Sequence, residues 1–146
     1  MVPMEEALAE ARNAAARGEV PVGAVVVGPD NTILARAGNQ VEACNDPTAH
    51  AEILSLRSAA ARLGSPRLIG CDLYVTLEPC PMCAQAISLA RIRRLIFGAY
   101  DPKSGGVEHG PRIFDAVSAH HKPEIIGGLR ETEAATLLRD FFAAKR

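Results

Sequence analysis

The chain has 146 residues, 48% hydrophobic and 23% charged, with a formal net charge of −1 at pH 7. That length suits one ordinary domain and is short for two, and the composition excludes a disordered or fibrous chain. The near-neutral balance excludes a protein that grips nucleic acid with its whole surface, so any such contact needs a local patch.

In chain order, the alanine-rich segment from Met4 to Arg17 carries apolar residues at helical spacing and stops at Gly18. With Glu5 and Glu6 and no apolar run, the N-terminus does not read as a secretory leader. Val20 to Val27 reads as a strand, too short to span a bilayer, and Gly28-Pro29-Asp30-Asn31 turns it into a second strand, Thr32 to Ala37. Gly38 to Thr48 reads as a loop, and a helix runs from about Ala49 to Leu63, closed by Gly64.

Leu73 to Leu77 is a third predicted strand, running directly into Glu78-Pro79-Cys80. Pro81 suits the first turn of the next helix, which extends to about Arg91, because proline has no amide hydrogen to waste there. A fourth strand is expected at Leu95 to Ala99, then a long glycine-rich loop from Tyr100 to Gly110. A short helix at Ile113 to Val117, a fifth strand at Glu124 to Ile126 and an amphipathic helix at Glu131 to Ala143 complete the chain. Strands alternating with helices predict one three-layer α/β/α domain over residues 1–146, with a mixed five-stranded sheet that is mainly parallel in its second half.

Chemistry concentrates in two short segments. Cys80 and Cys83, three apart at a helix start, can present both sulfurs to one ion; a redox pair or two inert buried thiols would share the spacing. His50 stands at another helix start, two residues before Glu52. Two helix starts meeting at one ion satisfy both segments. A closed structural zinc site takes four protein ligands, whereas three leave a position for water. His50, Cys80 and Cys83 are therefore the predicted ligands of one zinc per subunit, with Glu52 as the carboxylate that moves protons. Cys44 and Cys71 each read as a small loop or core residue, and His120-His121 as solvated. Four cysteines without a secretory leader fit a reducing compartment, so the cytoplasm is expected.

The pattern H-x-E…P-C-x-x-C is the known signature of zinc-dependent nucleobase deaminases. Beyond it, Glu19-Val20-Pro21-Val22-Gly23-Ala24, Gly38-Asn39, Asp46-Pro47-Thr48-Ala49-His50-Ala51-Glu52 and Tyr74 to Cys83 resemble the cytidine-deaminase-like superfamily. Phe97-Gly98-Ala99-Tyr100-Asp101, Lys103, Gly105 and the terminal Phe141-Phe142 make the chain most similar to the bacterial tRNA-specific adenosine deaminases. The resemblance implies conversion of adenosine to inosine at the wobble position of a tRNA anticodon, in an arginine tRNA, by a homodimer. It implies that Asn39 hydrogen-bonds the flipped nucleotide, that Val20, Pro21 and Val22 wall the base pocket, that Ala49 also binds substrate, and that Asp101, Lys103, Phe141 and Phe142 lie near the anticodon loop.

Arg91, Arg93, Arg94, Lys103, Lys122, Lys145 and Arg146 are the candidate phosphate patch, and the Ala84 to Ala90 helix offers an apolar face for a partner or for the core. Two other functions compete. Guanine deaminases share the His50 and Cys80 strings, so a free base such as guanine or cytosine is the nearest alternative substrate. A zinc-stabilised binding module without catalysis is the other, and Glu52 argues against it.

Overall fold

The structure is a computed structural model and describes residues 2–145. The candidate patch residue Arg146 lies outside them. Five strands form one sheet in the order β2-β1-β3-β4-β5: β1 Gly23–Val27, β2 Ile33–Gly38, β3 Asp72–Leu77, β4 Arg94–Ala99 and β5 Glu124–Ile126. β1 runs antiparallel to β2 and β3, whereas β3, β4 and β5 are mutually parallel. The expected mixed sheet is therefore present.

Alternation along β1 feeds two cores. Val26 and Ala24 pack on one face with helices α3, Ala51–Leu63, and α4, Pro81–Leu89. Val25 and Val27 pack on the other with α1, Pro3–Ala16, and α5, Glu131–Ala144. A strand buried on both faces needs apolar side chains at every position, which is why this segment reads as a continuous valine run. Gly23 and Gly38, paired across β1 and β2, let α1 approach the sheet closely. A Cβ at Gly38 would lie 2.8 Å from the Glu10 carbonyl, and one at Gly23 would lie 2.6 Å from the Ala11 nitrogen.

Three segments differ from expectation at their ends or interior. The first strand starts at Gly23 rather than Val20, because the chain makes a tight turn in which the Val22 N–H donates to the Val20 carbonyl. The helix after the cysteines ends at Leu89, and Arg91 takes a left-handed φ of 62°. The 38–48 loop contains one helical turn, α2, Val41–Cys44, whose Glu42 and Ala43 N–H groups donate to the buried Glu19 carboxylate at 3.0 and 2.8 Å. His121 is not simply solvated: its ring Nε2 lies 2.7 Å from the Ile92 carbonyl, and its carbonyl accepts the Ser88 hydroxyl. Among the described residues no helix is long and apolar enough to cross a membrane.

Candidate active site

The site lies where β3 ends and α4 begins, beside the start of α3. Asp46 shapes the approach to α3: its carboxylate accepts the Thr48 N–H and hydroxyl at 2.9 and 2.7 Å, and its carbonyl accepts the Ala49 N–H. The chain is thereby turned so that His50 occupies the N-cap of α3 in extended conformation. Cys80 occupies the equivalent N-cap of α4, with Pro81 next, and Cys83 follows one turn later. Two helix N-termini converge, and their partial positive charge favours thiolate and carboxylate there.

His50 Nδ1 lies 3.6 Å from Cys80 Sγ and 3.5 Å from Cys83 Sγ. All three ligand atoms fall within 4.8 Å of one another. Bonds of about 2.3 Å to sulfur and about 2.0–2.1 Å to nitrogen, at the tetrahedral angle, separate such donors by about 3.5 Å. One nitrogen and two sulfurs at that spacing suit zinc, and three donors leave a position open. His50, Cys80 and Cys83 are thus positioned as zinc ligands; Cys44 is exposed on α2 and stands outside the cluster, while Cys71 is buried in the core.

The ligands' proton affinities are interlocked. Hydrogen bonding with Cys83, then with His50, pulls the Cys80 thiol down to about 4 despite burial. Its hydrogen bond to Cys80 and burial push the Cys83 thiol up, and Cys80 raises His50 above its ordinary value. Glu52, second residue of α3, is 4% exposed, and burial pushes its carboxyl up to about 7. It is a group poised near neutrality beside the three donors.

A cavity of about 690 Å³ opens over this floor, bordered by His50, Glu52, Cys80, Asn39, Val20 and Val22. Asp101, Ser104, Phe141 and Lys145 border its mouth. A second hollow of about 380 Å³ adjoins it, sharing Val20, Leu77, Asp101 and Ser104, and runs on to Tyr100, Lys103, Leu138 and Phe142. The two form one cleft from the metal ligands to α5. Phe141 and Phe142 meet edge to face with centroids 5.3 Å apart, and Lys145 Nζ sits 5.0 Å from the Phe141 centroid.

Of the residues expected to bind the target nucleotide, Val20, Val22 and Asn39 border the cavity, whereas Pro21 and Ala49 do not. Pro21 is buried between the two valines, and Ala49 is 1% exposed with its carbonyl accepting the Gln40 N–H. The candidate phosphate patch is not one surface. The Arg93 guanidinium makes two bonds to Asp72, Arg94 pairs with Glu124 and Lys122 with Asp115. Arg94 and Asp72 open their strands, and the metal ligands follow the far end of β3, so the Arg93 and Arg94 pairs lie at the opposite end of the sheet. Arg91 has its Nη1 buried without a partner among the described residues. Among the described residues of the set, only Lys103 and Lys145 border the cleft.

Sequence reasoning passed over the roles of Glu19 and Glu78. Both are buried and border the cavity, yet each spends its carboxylate on backbone N–H groups of a neighbouring loop. Burial alone would raise the Glu78 carboxyl, but the Asp101 N–H, the His109 ring and the N–H groups of Glu108 and Val107 outweigh it and hold it below the ordinary range. The available signal was an acid adjoining an apolar strand segment, which normally needs a partner when buried.

Residues 2–99 match the family described as the cytidine and deoxycytidylate deaminase zinc-binding region. A tRNA-specific adenosine deaminase of Agrobacterium fabrum is 57% identical over 143 residues, covering 98% of this chain and 93% of that protein. A solved chain from studies of A-to-I editing by tRNA deaminases at the wobble position superposes with a TM-score of 0.91 at 57% identity, covering 93% of this chain and 98% of that one. The guanine deaminase of Nitrosomonas europaea superposes with a TM-score of 0.83 at only 26% identity, covering 97% of this chain and 83% of its own. With its three donors, its buried acid and these relatives, the chain belongs to the zinc-binding cytidine and deoxycytidylate deaminase family and, within it, to the tRNA-specific adenosine deaminases.

Proposed function

We infer that this chain hydrolyses adenosine to inosine at the wobble position of a tRNA anticodon, releasing ammonia. The observation that carries the reading is the continuous cleft: a polar, metal-binding floor at one end, and aromatic side chains with Lys103 and Lys145 at the other. A free base needs a closed pocket, whereas a nucleotide splayed from a loop needs a floor for its base and an open wall for its neighbours.

His50, Cys80 and Cys83 would hold one zinc per subunit, which supplies an acidified water as nucleophile. Glu52 accepts the two protons of that water in turn and passes the first to the ring nitrogen and the second to the departing amine, since one carboxylate can act as base and then acid. Val20 and Val22 supply apolar contact to the base, and Asn39 donates its side-chain amide to an acceptor on the nucleotide. Asp101, Lys103, Phe141 and Phe142 flank the anticodon loop.

The same proposal places residues 1–146 in a single catalytic domain, acting in the cytoplasm on an arginine tRNA as a homodimer. For the dimer, support comes from α4: Ala84 and Ile87 are buried in the core, while Met82 and Leu89, seven apart, stand 37% and 58% exposed. The test is incubation of the zinc-loaded protein with an arginine anticodon stem-loop and, separately, with guanine. Inosine in the first and no xanthine in the second is expected; the reverse outcome overturns the reading.

A further inference from the structure

Glu78 gathers five hydrogen bonds on a side chain with no exposed surface. Its Oε1 accepts the Asp101 N–H at 3.0 Å and lies 2.8 Å from His109 Nδ1. Its Oε2 accepts the N–H groups of Val107, Glu108 and His109 at 3.2, 2.9 and 3.1 Å. The donors come from both ends of one segment, residues 101–109, which is therefore a closed strap around a single carboxylate. With both oxygens engaged, Glu78 is neither a metal ligand nor the proton carrier, although it borders the cavity.

The strap also lies directly on the segment that bears Cys80. The Gly106 N–H donates to the Pro79 carbonyl at 2.8 Å. A Cβ at Gly106 would sit 2.6 Å from the Pro81 nitrogen, and one at Gly105 would collide with Glu78 Oε2, so only glycine permits this approach. On its other side the strap presents Asp101 and Ser104 to the cavity and Lys103 to the outer cleft.

We propose that Glu78 is a positioning residue for substrate: it holds the 101–109 strap in the shape that walls the cleft and ties that wall to the metal-ligand turn. The proposal takes its substrate from the tRNA reading above. Converting the carboxylate to an amide replaces one acceptor oxygen by a donor group facing N–H groups, which opens the strap without touching a ligand or Glu52.

The experiment compares wild type, Glu78→Gln and His109→Ala, each zinc-loaded. In Glu78→Gln, hydrogen exchange over residues 101–109 should quicken about tenfold or more while β1 stays unchanged. Zinc should remain at one per chain, and KM for the stem-loop should rise about tenfold with kcat within about threefold of wild type. His109→Ala removes one donor of the five and should fall between the two proteins, which keeps the test alive if Glu78→Gln does not fold. Unchanged exchange in the strap overturns the proposal, as does faster exchange with unchanged KM, or a loss of kcat alone. If wild type converts no stem-loop, the tRNA reading fails, and the exchange measurement by itself decides whether Glu78 holds the strap.

Discussion

The side-chain oxygen of Asn39 accepts the backbone N–H of Ala51 at 2.8 Å. Ala51 opens α3 one residue before Glu52, so this bond joins the rim of the cavity to the helix that carries the buried acid. It also orients the amide. With the oxygen committed to a backbone donor, the Asn39 nitrogen is the face left for a ligand, and the site asks for an acceptor on the substrate.

Replacing Asn39 with aspartate separates these two duties. Asn39→Asp keeps an acceptor for the Ala51 N–H but removes the donor, so zinc content and fold should persist. Activity on the stem-loop should fall in kcat/KM by about ten- to a hundredfold, the worth of one polar contact left unmade. Asn39→Ala should in addition lower thermal stability, since it leaves the Ala51 N–H buried and unpaired. Full activity in the aspartate variant would remove the donor role.

Glu52→Gln should retain zinc and lower turnover by about 10²–10⁴-fold, the usual contribution of a positioned acid–base group. It should also stabilise the metal-free protein at neutral pH. Burial raises this carboxyl from 4.5 to about 7. Between those values the folded chain holds a proton that the unfolded chain has lost, so wild-type stability falls as pH rises through the window. Denaturant titrations of the two metal-free proteins should diverge between those two values, with the glutamine variant the more stable by a few kcal/mol near neutrality. Below about pH 4 the difference should vanish. A variant that is no more stable at neutral pH contradicts this account of the buried acid.

The strands, the long helices and the metal cluster were legible because each depends on local order: the valine run of β1, Gly64 at a left-handed φ of 67° closing α3, and ligands at two helix starts. What stayed hidden depends on partners distant in sequence. The α2 turn exists because Glu19, more than twenty residues earlier, accepts its first N–H groups. The candidate basic patch dissolved because Arg93 meets Asp72 and Arg94 meets Glu124, pairings that only the parallel register of β3, β4 and β5 creates. The Val20 to Val22 segment shows the limit at finer scale, since a turn sends Pro21 away from the cavity that its two neighbours border.

Zinc binding should release about two protons per ion near pH 6. Cys80, pulled down to about 4, is already a thiolate there, whereas Cys83 is pushed up and His50 is raised, so both must lose a proton to act as ligands. Titration calorimetry in buffers of differing ionisation enthalpy measures the count, and Glu52→Gln as host removes the fourth titrating group. A release of three protons would mean that Cys80 is protonated in the metal-free protein, and the interlocked charges described above would be wrong.

Lys103 and Lys145 border the cleft, whereas Arg93 is paired with Asp72 at the other end of the sheet. Phosphate contacts make affinity fall with salt, by roughly one unit of log–log slope for each contact. Lys103→Ala and Lys145→Ala should therefore each weaken stem-loop binding and reduce the salt slope by about one, while kcat at saturation changes little. Lys145→Ala should be the more damaging, because Lys145 also sits over the Phe141 ring and its loss frees that aromatic wall. Arg93→Ala should leave the slope unchanged. Binding measured by fluorescence anisotropy from low to moderate salt separates the outcomes, and a slope that moves only in the arginine variant would place the anticodon on the opposite end of the sheet.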